Sequence, residues 1–118
     1  MSKLTIKGAQ RKLDRLWSLR IREKGRCEVC GRRANQPHHL IGRKNKALRW
    51  DLRNGVLLCY THHVGGNLSA HNDPKWFLDW FKENRPKDWE YILKEKNKVY
   101  KRTLEDYVKM IEELKCTT

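Results

Sequence analysis

Acidic residues are scarce in this chain: 14 Asp and Glu stand against 27 Lys and Arg, a formal net charge of +13 over 118 residues. An excess of that size argues against acidic or neutral surfaces as the natural function class and points to a polyanion, bound through counterion release. Long apolar runs are missing too. The longest, Gly55-Val56-Leu57-Leu58-Cys59, is far short of the roughly 20 residues that span a bilayer, so no membrane role is expected. The opening residues, Met1-Ser2-Lys3-Leu4-Thr5-Ile6, lack the apolar centre of a secretory signal, and a reducing, cytoplasmic setting is the expectation. No repeat, low-complexity tract or Gly/Ser linker divides the sequence, and the length suits one domain over 1–118. With only 38% hydrophobic residues, the core must be modest, and a second stabilising device is expected.

What is present is unevenly distributed. Residues 8–25 read as an amphipathic helix with Leu13, Leu16, Trp17 and Ile21 on one face. From 26 to 72 the pattern breaks into short apolar pieces between turn residues, which suits a knuckle and two short strands. Asp73-Pro74 supplies an N-cap and a proline at the first helical position, opening a helix to about 84. Pro86 restarts a second to about 97, and Thr103-Leu104-Glu105-Asp106 caps a last one to about 115. Trp76, Phe77, Trp80, Phe81 and Trp89 have the spacing of a core face rather than of a base-stacking platform. The whole reads as α+β: a small central unit flanked by an N-terminal helix and, over 73–118, a helical extension.

All five histidines and three of the four cysteines lie in the central unit. In a reducing compartment Cys27-x-x-Cys30 reads as a metal knuckle, and Cys59-x-x-His62 repeats its spacing. Two such pairs close a tetrahedral shell around a structural Zn²⁺, supplying folding energy that the small core lacks. His63 follows His62 directly, and on a helical start it points about 100° away, which leaves it free for other work. Cys116 reads as a small apolar residue.

Outside the zinc ligands remain His38, His39, Asn54 and His63, with Asn67 and His71 nearby. Adjacent strand residues point to opposite faces, so His38 and His39 suit different tasks: one binding a metal with His63, the other acting as a general base. An alternative joins these histidines to the cysteines in one larger, unreactive zinc knuckle, but it leaves Asn54 without a role.

The order Cys27-x-x-Cys30, His38-His39, Asn54, Cys59-x-x-His62-His63 resembles the zinc-stapled HNH endonucleases, whose ββα-metal hairpin and helix hold one catalytic ion. The likeness covers about residues 26–72, and more loosely the tryptophan-rich stretch of small phage and prophage members. It implies that His39 is the general base, that His38 and His63 hold the catalytic divalent ion, that Asn67 is a further ligand at the optional last position, and that Asn54 ties the loop across the hairpin. It further implies hydrolysis of DNA to 5′-phosphate and 3′-hydroxyl ends. His38 stands where many members carry Asp, and His62 where many carry Cys. An imidazole at the first position tilts the choice among Mg²⁺, Mn²⁺, Ni²⁺, Co²⁺ and Zn²⁺ away from Mg²⁺, which prefers oxygen ligands.

Between the doublet and Asn54 lies a basic loop with Arg43, Lys44, Lys46, Arg49 and Arg53, suited to DNA backbone contacts that position without reading sequence. No recognition helix stands out, so low sequence specificity or selection of nicks, branches or flaps is expected. His71 reads as a phosphate contact or part of a helix entry. The competing function is a non-catalytic, zinc-stapled DNA-binding or adaptor module.

Overall fold

The computed structural model describes residues 3–116; the terminal pairs 1–2 and 117–118 of the expected single domain lie outside them. Four α-helices and one antiparallel pair of strands make up the regular structure of the described residues, in the order α1 (Ile6–Arg22), β1 (Gln36–His39), β2 (Gly55–Leu58), α2 (Pro74–Asn84), α3 (Pro86–Glu95) and α4 (Leu104–Cys116). This is a small α+β domain. No described helix is long and apolar enough to cross a membrane.

The helix ends follow from local chemistry. Thr5 caps α1 by accepting from Gly8 N–H, two residues earlier than the apolar pattern suggests. Asp73 accepts from Trp76 N–H ahead of Pro74. Thr103 and Asp106 exchange hydrogen bonds in a reciprocal capping box before α4. Where Arg85 separates α2 from α3, its guanidinium donates to the carbonyls of Gly55 at 2.7 Å and Arg53 at 3.0 Å, tying the helical extension to β2.

The hairpin register sorts the chemistry. Gln36 opposes Leu58, Pro37 opposes Leu57, His38 opposes Val56 and His39 opposes Gly55. Alternation therefore places Gln36, His38, Val56 and Leu58 on one face, and Pro37, His39, Gly55 and Leu57 on the other. Leu57 joins a core with Leu13, Trp17 and Ile21 of α1 and Tyr107, Ile111 and Leu114 of α4. Val56 and Leu58 join a second core with Phe77 and Phe81 of α2 and Ile92 of α3. The expected aromatic core face is thus present, with Trp76, Trp80 and Trp89 partly buried around it.

α1 lies against the hairpin at Gly55, where an added Cβ would sit 2.4 Å from Ile21 and 2.7 Å from Trp17. Trp50 is also buried, at 4% exposure. It packs edge-on against Tyr107, and its indole N–H donates to Asp14 of α1 at 2.8 Å.

Candidate metal centres

The knuckle forms where Gly31 N–H donates to the Cys27 carbonyl and Cys27 N–H to the Arg32 carbonyl. That tight turn aims Cys27 and Cys30 at Cys59 and His62, and the four ligand atoms all lie within 4.8 Å of one another. Cys30 and Cys59 Sγ are 3.8 Å apart, and Cys59 Sγ is 3.3 Å from His62 Nδ1. A tetrahedron with Zn–S bonds of about 2.3 Å has S···S edges of roughly 3.8 Å, so the donor set and its size are compatible with a structural Zn²⁺. Burial works to raise the Cys27 thiol, but backbone N–H groups of Cys59, Cys30 and Val29 hold it below its ordinary value, which favours the thiolate that binds metal.

Past Cys59 the chain takes a single widened, π-helical turn, Thr61–Gly65, closed by Gly66 N–H donating to the Thr61 carbonyl. The Tyr60 ring lies where a side chain at Gly65 would sit, 2.3 Å from the place of its Cβ, so this close packing requires glycine there. Asn67, which the resemblance makes a further ligand, lies beyond the turn and is exposed. The chain doubles back instead. Asn72 donates to the carbonyls of Val64 and Gly66, and His71 N–H donates to the His63 carbonyl, so His71 arrives where the resemblance placed Asn67.

A second cluster results, made of His38, His63 and His71, each with a ring nitrogen within 4.8 Å of the others. The Nε2 atoms of His63 and His71 are 3.1 Å apart. His63 Nδ1–H donates to Gln36 Oε1 at 2.7 Å, which fixes the tautomer and leaves the His63 Nε2 lone pair facing His71, an arrangement that a shared cation satisfies. Burial first, then the neighbouring His63, His71 and His39, push His38 down to about 3; burial and His71 lower His63 as well. Neutral imidazoles are the form that binds transition metals.

His39 sits on the opposite face of β1. Its ring stacks on Trp17 at 3.8 Å and 5°, and its Nε2–H donates to the Arg49 carbonyl at 2.9 Å, leaving Nδ1 with the lone pair. Burial foremost, with the charges of Arg43 and Arg49, lowers its pKa against the opposing pull of the Arg49 carbonyl and Asp14. Asn54 is fully buried: Oδ1 accepts from Ile41 N–H at 2.8 Å and Nδ2 donates to the carbonyls of Ile41 and Leu48 at 2.9 and 3.2 Å. It fastens the basic loop to the hairpin.

The loop cations divide. Arg49, expected on DNA, is turned into the fold, where Nε and one terminal nitrogen donate to Asp14 at 3.0 and 2.7 Å. Arg43 reaches the same carboxylate at 3.0 Å but remains 61% exposed. Arg53 pairs with Asp51 and lies over the Tyr91 ring at 3.3 Å. Lys44 and Lys46 are exposed. The sequence reading took His71 for a phosphate contact or a helix entry rather than a ligand, and missed Gln36 and Asp14. For His71 the available signal was residue type; for the other two nothing local distinguishes them.

No protein-family model, curated protein or solved structure matches this chain.

Proposed function

We propose that the protein is a metal-dependent DNA endonuclease of the HNH kind, with its ββα-metal unit formed by β1, β2 and the π-helical turn that follows them. The observation that carries the reading is the separation of two ligand clusters, one of Cys27, Cys30, Cys59 and His62 and the other of His38, His63 and His71, with His39, next to His38 in the chain, held on the other face of β1 by Trp17 and the Arg49 carbonyl. One closed set of sulfur-rich donors suits a structural ion, whereas three imidazoles leave coordination positions open for substrate.

A divalent ion held by His38, His63 and His71 would supply charge stabilisation to a pentavalent phosphorus and to the departing 3′ oxygen. The remaining work belongs to side chains. His39 takes a proton from water at Nδ1, and its stack on Trp17 and bond to the Arg49 carbonyl hold that atom in one direction. Asn54 keeps the loop, and with it the Arg49 carbonyl, in register. Arg43, Lys44 and Lys46 contact phosphates on either side of the cut. His71 replaces Asn67 as the third ligand in this reading, and the all-imidazole set favours Mn²⁺, Ni²⁺, Co²⁺ or Zn²⁺ over Mg²⁺.

The test is supercoiled plasmid with each of these ions. Wild type should nick it, and His39→Ala should bind DNA unchanged yet leave it intact. Binding without nicking by the wild type, with any of the ions and on branched DNA too, would leave the zinc-stapled binding module as the function.

A further inference from the structure

A cavity of about 450 Å³ lies between the basic loop, the end of α3, the connector that follows it and α4. That volume falls within the roughly 300–1,000 Å³ of small-molecule sites. Its walls set three cations, Lys46, Arg53 and Arg102, against three carboxylates, Asp51, Glu95 and Glu113, among aromatic rings. The Arg53 guanidinium covers the Tyr91 ring, and Arg102 lies 4.5 Å over Tyr100 and 5.8 Å from Trp50. Each guanidinium is thus a flat cationic plate set against an aromatic ring, the kind of surface on which a nucleobase stacks, with Arg53 also paired to Asp51 and Arg102 donating to the Lys46 carbonyl. Tyr91 O–H donates to Asp51 and Tyr100 O–H to Glu95, both at 2.7 Å. Those carboxylates discourage a compact anion inside the cavity. A planar, neutral, polar group fits better, with its own phosphate left outside at Lys46.

The cavity is also joined to the candidate site. Arg53 directly precedes Asn54, and Trp50 directly follows Arg49, whose carbonyl holds His39. We infer that this cavity receives one unpaired nucleotide of a DNA strand, its base stacked on the guanidinium plates of Arg53 and Arg102 beside Tyr100. The inference rests on the DNA reading above and deepens it: the preferred substrate is a duplex with an extruded or unpaired nucleotide near the scissile phosphate.

The test uses the zinc-loaded full chain with no other divalent ion, at one fixed salt concentration, and fluorescence anisotropy on three labelled DNAs: a paired duplex, the same duplex with one bulged adenosine, and one with an abasic bulge. Wild type should prefer the bulged adenosine over the abasic bulge by about tenfold or more, the scale of one stacked base. Tyr100→Ala should abolish that preference while paired-duplex affinity stays unchanged, and Tyr100→Trp should keep it. Equal binding of adenosine and abasic bulges by wild type, or a preference that survives Tyr100→Ala, overturns the pocket. If paired duplex still binds, and plasmid is nicked when the second divalent ion is added, the endonuclease reading stands without it. No binding to any of the three DNAs would overturn both readings.

Discussion

Asp14 is the joint between α1 and the basic loop, and its replacement by Asn tests how the loop is held. The carboxylate accepts from Arg49 twice, from Trp50 and from Arg43, at 2.7–3.0 Å. Burial opposes its ionisation, but hydrogen bonds from Arg49 and Trp50 and the charges of Arg49 and Arg43 hold the carboxyl below its usual range. Asn keeps the shape and removes the charge, leaving the Arg49 guanidinium, only 17% exposed, without its counter-ion. Breaking a fully buried pair costs about 3–5 kcal/mol. The Asp14 side chain is 24% exposed, and water screening there reduces the expected loss to about 2 kcal/mol. For a domain of this size that lowers Tm by about 8 °C. Urea unfolding of zinc-loaded Asp14→Asn, Arg49→Gln and the double variant measures both the loss and the coupling. A loss below about 0.5 kcal/mol, typical of a plain surface change, or losses that simply add, would refute the joint. The variant should also cut DNA more slowly while the three-histidine cluster binds metal as before, because only the support of His39 is disturbed.

Other outcomes follow from the two clusters. His71→Ala should weaken Co²⁺ or Ni²⁺ binding in titration calorimetry by at least about tenfold, and Asn67→Ala should not; the reverse result restores Asn67 as the ligand. Gln36→Leu, which frees His63 Nδ1, should cost about 10–100-fold in the same affinity. Chelation of the zinc, or Cys30→Ser, should abolish cooperative unfolding followed by circular dichroism, since the clasp supplies folding energy; an unchanged transition would remove it from the fold's support. His38 is pushed down by burial, then by His63, His71 and His39, to about 3. Between that value and 6.5 the unfolded chain therefore binds a proton that the fold refuses. With only the clasp loaded, stability should fall as pH drops below 6.5, by at most about 1.4 kcal/mol per unit from this group. His38→Gln should flatten that slope, and equal slopes would show that His38 is protonated in the fold.

The legible parts were those written in short-range rules. Asp73-Pro74 and Thr103 with Asp106 mark helix starts because caps are made within one turn, and the paired spacings of Cys27, Cys30, Cys59 and His62 name a cluster that the fold does assemble. The hairpin followed from short apolar pieces between turns. What escaped depends on contacts between distant segments. Asn67 was assigned through the resemblance, which presumes a helix after the hairpin, and the chain makes only one widened turn there before doubling back. Arg49 looked like any loop cation until Asp14, far earlier in the chain, came to meet it. Trp50, between Arg49 and Asp51, gave no sign that it was buried against Tyr107.

The contact at Gly55 has an evolutionary side. Since even a methyl there would strike Ile21 and Trp17, and Trp17 is the plate on which His39 rests, mutation at this one codon would shove the first helix outward and tilt the imidazole with it. The seating of the first helix and the aim of the imidazole are thus tied to a single missing side chain, and neither can drift without the other.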